Sequence, residues 1–186
     1  MPGYRERSGM TTETAEFAGT LETENPLWHF ALAFWQQPEV EQSCLALQSR
    51  GWSVTRILCA CWQASRNRSY PTQEAPEIVR WRNDITATLR TIRHILPKEQ
   101  YTLAALRDNV AAAELHAEQI ELALAFRALS TKGPTEAEHQ DLAGLTICNL
   151  RQAAPEPMID RETGILLEQL TRSLRDRLSP TGASKP

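Results

Sequence analysis

No stretch of the 186-residue sequence approaches the roughly 18 apolar residues that a membrane-spanning helix needs. Residues 1–24 have no continuous apolar segment either, because Thr, Glu and Gly are spread through them, which argues against an export signal. Glycine is sparse: the 8 glycines form neither GxGxxG nor GxxxxGK[ST], and no GxSxG frames a serine. A phosphate-cradling loop and a nucleophile elbow are thereby excluded as sequence signatures. Cysteine is limited to four residues with no paired knuckles, which fits reduced thiols in a cytoplasmic chain better than disulfides or structural zinc. Cys59-Ala60-Cys61 comes nearest to a metal motif, but on a helix its two thiols point roughly 200° apart, so both are read as small core residues. His29, His94, His116 and His139 are dispersed, with no HExxH and no neighbouring nucleophile. Glu114, Glu118 and Glu121 recur at helical spacing, but His116 precedes Glu118, so the Glu-x-x-His of a di-iron bundle is not formed. These carboxylates are read as a solvated helix face. No catalytic, cofactor-binding or metal-ligating residue and no cofactor is expected.

What is present is helical patterning. With 41% hydrophobic and 23% charged residues the chain can bury one core. Residues 1–24 lack a period and read as a disordered leader. Asn25-Pro26 signals a helix start, with Leu27, Phe30, Ala31 and Phe34 on one face and Trp28, Ala31, Leu32 and Trp35 on the next. Pro38 opens a second helix carrying Val40, Cys44 and Leu47, and Gly51 suits the left-handed residue that ends it. Ser53 caps a third, through Val54, Ile57, Leu58, Cys61 and Trp62. Trp52, beside Gly51, is expected to be partly exposed and a candidate contact residue.

After the polar loop 66–76, the stripe Ile78, Trp81, Ile85, Leu89, Ile92 and Leu96 predicts a long amphipathic helix ended by Pro97. Leu103, Leu106, Val110, Ala113, Ala117, Ile120 and Leu124 predict a second, antiparallel to the first across a short turn. Thr135–Glu138 reads as a capping box, and Asp160 as the cap of a last helix through Leu166, Leu167, Leu170, Leu174 and Leu178. The expected fold is all-α. An N-terminal cluster of three short helices (25–65) precedes a long antiparallel hairpin (77–130) and one or two C-terminal helices (135–178), all in one domain over 25–178, with a flexible tail at 179–186.

The segment Asn25-Pro26-Leu27-Trp28-His29-Phe30-Ala31-Leu32, with Cys44-Leu45-Ala46-Leu47-Gln48, Gly51 and Ile57-Leu58-Cys59-Ala60-Cys61-Trp62, resembles a proteobacterial family of small helical proteins of unknown function. The likeness spans roughly residues 25–125 and continues through Trp81, Leu89-Arg90, Arg93 and Glu114–Glu118. Val54-Thr55-Arg56 departs from the polar residue members carry there, and the chain from about Gly133 extends beyond the likeness. The resemblance implies a helical, cytoplasmic protein and brings no activity, cofactor or catalytic residue with it.

Two surfaces carry functional expectations. Leu115, Leu122, Phe126 and Leu129 form a second apolar stripe on the long helix and are the candidate face for a protein partner or self-association. Residues 50–98 hold 9 basic and 3 acidic side chains between acidic flanks. Arg66, Arg68, Arg80, Arg90 and Arg93 are therefore a candidate anion-binding face for nucleic acid, unless they pair internally with Asp108, Glu114, Glu118 and Glu121 across the hairpin. The leading expectation is a non-enzymatic protein-interaction or adaptor module without a membrane partner. Nucleic-acid association is the first alternative. An enzyme or ligand binder whose site assembles only on folding, joining His29 or His94 to a perturbed carboxylate, is the second.

Overall fold

Each short N-terminal helix begins where a cap and a proline or serine place it. The computed structural model describes residues 20–131, 141–155 and 159–179, and every regular element among them is helical. In α1 (Pro26–Trp35) the Asn25 side chain accepts from the Trp28 amide at 3.0 Å, and Pro26 occupies the first turn. The same Asn25 donates to the Glu22 and Thr23 carbonyls, which folds the preceding residues back so that Leu21 packs on the core. Pro38 opens α2 (Pro38–Gln48), and Gly51 follows it at φ +86°, a conformation that a side chain would strain. Ser53 caps α3 (Val54–Ser65).

Helix α3 is the hub. Ten of its 12 residues are buried, because α1, α2 and three later helices, Ala104–Thr131, Leu142–Gln152 and Arg161–Leu178, all pack on it. Cys59 and Cys61 lie inside this packing, and with Cys44 from α2 they are free, buried thiols. Burial pushes the Cys44 thiol up to about 12 and raises Cys59 and Cys61 as well. Trp52 is also buried, against the expectation that it stands open. The turn at Gly51 reverses the chain so that Trp52 points back into the core shared by α2 and α3.

The predicted hairpin is present with a local irregularity. α4 (Pro76–Trp81) runs through a π-helical turn at Arg82–Thr86 into α5 (Ala87–Ile95), and a 3₁₀ turn at Tyr101–Leu103 leads into the 28-residue α6 (Ala104–Thr131). Only the base of this hairpin joins the core. Ile78 is buried, but Ile85 and Ile92 are exposed and α5 has no buried residue. On α6 the buried positions start at Glu114, while Leu106 is half exposed. The periodic stripes therefore face each other along the hairpin and stay open at its tip, where no third helix among the described residues covers them.

α7 (Leu142–Gln152), capped by Asp141, packs on α3, and α8 (Arg161–Leu178), capped by Asp160, closes on α2 and α7. Asn149 of α7 accepts from the Tyr70 amide at 2.8 Å and donates to the Arg68 carbonyl at 2.9 Å and the Ala60 carbonyl at 3.3 Å, pinning the loop after α3. The capping box at Thr135–Glu138, residues 1–19 of the leader and residues 180–186 of the tail lie outside the described residues. No helix among the described residues is long and apolar enough to cross a membrane.

Candidate functional site

The expectation of a solvated carboxylate face on α6 is overturned. Glu121 is only 1% exposed, Glu114 is buried, and Glu118 is half-buried. Glu114, Glu118 and Glu121 each face an arginine of the hairpin partner, so pairing inside the fold holds them there. Arg82 donates from Nε to Glu121 Oε1 at 2.7 Å and grips Glu74 with both terminal nitrogens at 2.7 and 2.8 Å. Thr55 and Thr86 donate hydroxyls to the two oxygens of Glu121. Arg56 Nε stands 3.2 Å from Glu74 without hydrogen-bond alignment, so it contributes charge, while its Nη2 donates to the Gln152 carbonyl at 2.9 Å. One turn further along, Arg90 bridges Glu114 at 2.9 Å and Glu118 at 2.7 Å, and Arg93 donates to both oxygens of Glu114.

Burial penalises the Glu74 and Glu114 carboxylates, but their arginines outweigh it. Arg82 and Arg56 hold Glu74 below the usual range, and Arg93 and Arg90 do the same for Glu114. Burial likewise opposes the charge of Arg82, yet its bonds to Glu74 and the charge of Glu121 hold it firmly protonated. Glu118 behaves differently. Burial pushes it up to about 7, because the single contact from Arg90 does not offset desolvation and the neighbouring charges of Glu114 and Glu121.

Glu118 lines a groove of about 250 Å³ between the N-terminal cluster and the hairpin. α1 contributes Trp28, Ala31, Leu32 and Trp35, the second face read from its periodicity. α2 adds Leu45 and Gln48, α3 adds Val54, Thr55 and Leu58, and α6 adds Leu115 and Leu122 beside Glu114 and Glu118, with Arg93 reaching in from α5. The rim is apolar and open: Leu32, Leu45 and Leu115 are 44%, 47% and 51% exposed.

The residues singled out in the sequence are distributed unevenly around this site. Of the candidate partner stripe, Leu115 stands on the groove rim, Leu122 and Leu129 are buried in the core, and Phe126 is half-buried 5.8 Å from the Trp62 ring. Of the candidate anion face, Arg90 and Arg93 are bonded to Glu114 and Glu118. The Arg66 guanidinium lies 4.7 Å over Trp62, and Arg80 is half-buried on α4. Arg68 lends its carbonyl to Asn149.

Neither His29 nor His94 lines the groove, and His29 pairs at the surface with Glu24. His139 lies outside the described residues. Among the described residues no group of three or more His, Cys, Asp or Glu is placed to hold a metal ion. Sequence reasoning did not single out Glu74, Thr55, Trp28 or Leu45 as site residues. Trp28, Leu32 and Trp35 carried the one usable signal, an apolar α1 face left over once the first face was committed to the core.

The chain belongs to the family described as Protein of unknown function (DUF2390), whose model matches residues 26–124. That span takes in every residue lining the groove and the ion-pair ladder across the hairpin, and leaves α7 and α8 outside it. No curated protein and no solved structure matches the chain.

Proposed function

We propose that this DUF2390 chain is a cytoplasmic, non-enzymatic interaction module that receives a side chain of a protein partner in the groove between α1, α2 and α6. The observation that carries this reading is the rim itself. Leu32, Leu45 and Leu115, from three different helices, stay largely exposed around a single concavity. Scattered exposed leucines are ordinary, but a set converging on one groove is the pattern of a docking site. The size of the groove favours a protein anchor over a cofactor. At about 250 Å³ it lies below the roughly 300–1,000 Å³ of small-molecule pockets and suits one inserted side chain. Four unpaired cysteines agree with a reducing compartment.

The experiment is affinity purification from native cells of the wild type and a Leu32→Lys/Leu115→Lys variant, with and without nuclease, at low and moderate salt. The expected result is a stoichiometric protein retained by wild type after nuclease and lost with the variant. The substitutions are on the surface, so the variant should unfold within about 0.5 kcal/mol of wild type. A partner retained equally by both proteins refutes the groove as the docking site. Recovery that disappears with nuclease supports nucleic-acid association instead, which would require Arg90 and Arg93 to serve phosphates while held by Glu114 and Glu118.

A further inference from the structure

We infer that the anchor received by the groove is basic: an arginine or lysine of the partner, its stem against Trp28, Leu32 and Trp35 and its cationic head on Glu118. This rests on the interaction reading above and adds the chemistry of what the partner presents. Three observations converge on a cation. First, the groove lining is amphipathic: indoles and leucines of α1 and α2 share it with the Glu114 and Glu118 carboxylates of α6. Long basic side chains have that same division between apolar stem and charged head, and indole faces attract cations.

Second, Glu118 has an acceptor to spare. Its Oε1 takes the bond from Arg90 at 2.7 Å, and no other hydrogen bond reaches its carboxylate among the described residues. Third, Glu114 and Glu118 in the groove wall are matched by Arg90 and Arg93, and Arg93 already spends Nε and Nη2 on Glu114, so the open position in this set is an oxygen of Glu118. An incoming anion would meet two carboxylates and a committed arginine, whereas an incoming cation meets an open oxygen.

The charged groups around Glu118 are Arg90 and Arg93 on α5 and Glu114 and Glu121 on α6. The residues that α1, α2 and α3 contribute to the groove include no acidic or basic side chain. A cation that docks on Glu118 therefore takes the place of the proton which burial makes that group retain near neutral pH. Association releases the proton and strengthens as the carboxylate ionises. With half-ionisation at about 7, the ionised fraction and so the apparent affinity rise about tenfold from pH 6 to pH 8.

The test uses the full chain with two small probes of one shape, butylguanidinium and neutral butylurea, followed through the indole N–H resonances of Trp28 and Trp35. The expected result is saturable shifts of both signals with butylguanidinium, several-fold weaker with butylurea, and about tenfold tighter at pH 8 than at pH 6. Glu118→Gln should lower the butylguanidinium affinity to that of butylurea and remove its pH dependence. Equal binding of the two probes, or pH-independent binding, overturns the basic anchor but leaves an apolar one. Absence of any shift with butylguanidinium at either pH also overturns it, and the rim-variant purification then decides the interaction reading separately. The probe comparison stands on wild type alone if Glu118→Gln fails to fold.

Discussion

Replacing Arg82 with methionine should be among the most damaging single changes outside the apolar core. Methionine retains much of the stem packing and removes only the guanidinium. Arg82 supplies three hydrogen bonds to two carboxylates that are nearly inaccessible, with side-chain exposures of 9% for Glu74 and 1% for Glu121. After the change Glu121 retains the Thr55 and Thr86 hydroxyls, and Glu74 retains Tyr70 and the misaligned Arg56, so both carboxylates stay buried without their main counter-charge. Breaking a buried pair by removing one partner costs about 3–5 kcal/mol. At roughly 2–4 °C per kcal/mol for a chain of this size, Tm should fall by roughly 6–20 °C.

Urea denaturation of wild type, Arg82→Met and Arg82→Lys at pH 7 and pH 4 reads this out. The lysine variant should lie between the other two, since it restores a charge without the two-pronged grip. The pH comparison separates charge from packing. The Glu74 pKa is lowered in the folded state, so the stability it contributes is present above its unfolded value near 4.5 and is lost as pH falls through the folded value. The gap between wild type and Arg82→Met should therefore narrow from pH 7 to pH 4. A loss under 1 kcal/mol, or a gap equal at the two pH values, would refute the reasoning.

Glu118 should give the opposite pH signature: its folded pKa is raised to about 7, so its share of stability is full below the unfolded value and is lost as pH rises through 7. Glu118→Gln should accordingly gain on wild type by about 1–3 kcal/mol between pH 5 and pH 8 in urea melts, and parallel curves would contradict the buried environment. Asn149→Ala removes three hydrogen bonds that hold Ala60, Arg68 and Tyr70, so it should cost about 2–4 kcal/mol and accelerate tryptic cleavage after Arg66 and Arg68 in limited proteolysis. With a chromogenic disulfide reagent at pH 8, native protein should titrate one fast thiol and the denatured chain four, because Cys148 alone is exposed. Cys148→Ser should abolish the fast phase, and a second fast thiol would mean that α2 or α3 opens.

Local chemistry was legible in the sequence because its signals act over a few residues. Asn25-Pro26, Pro38, Gly51, Ser53 and Asp160 place helix ends through their own side chains and backbone preferences. The 3.6-residue period of α3 and α8 identifies which faces turn inward. Those features settle an all-α chain. What periodicity does not state is which inward face finds a neighbour. The stripes of α5 and α6 have the spacing of buried helices, yet Ile92 and Leu106 remain open because no element among the described residues crosses the hairpin tip.

The reverse holds for Glu114 and Glu121, whose spacing is that of an ordinary solvated face and whose burial depends on Arg82, Arg90 and Arg93 arriving from the antiparallel helical arm of the hairpin, more than 20 residues away. Position along the helix fixed the carboxylates' direction, and only the packing of α1–α3 against the hairpin decided their dielectric surroundings. The groove has the same origin. Trp28, Leu45 and Glu118 are too far apart in the chain for any local rule to associate them, and they converge because α1, α2 and α6 all need α3 to bury their other faces.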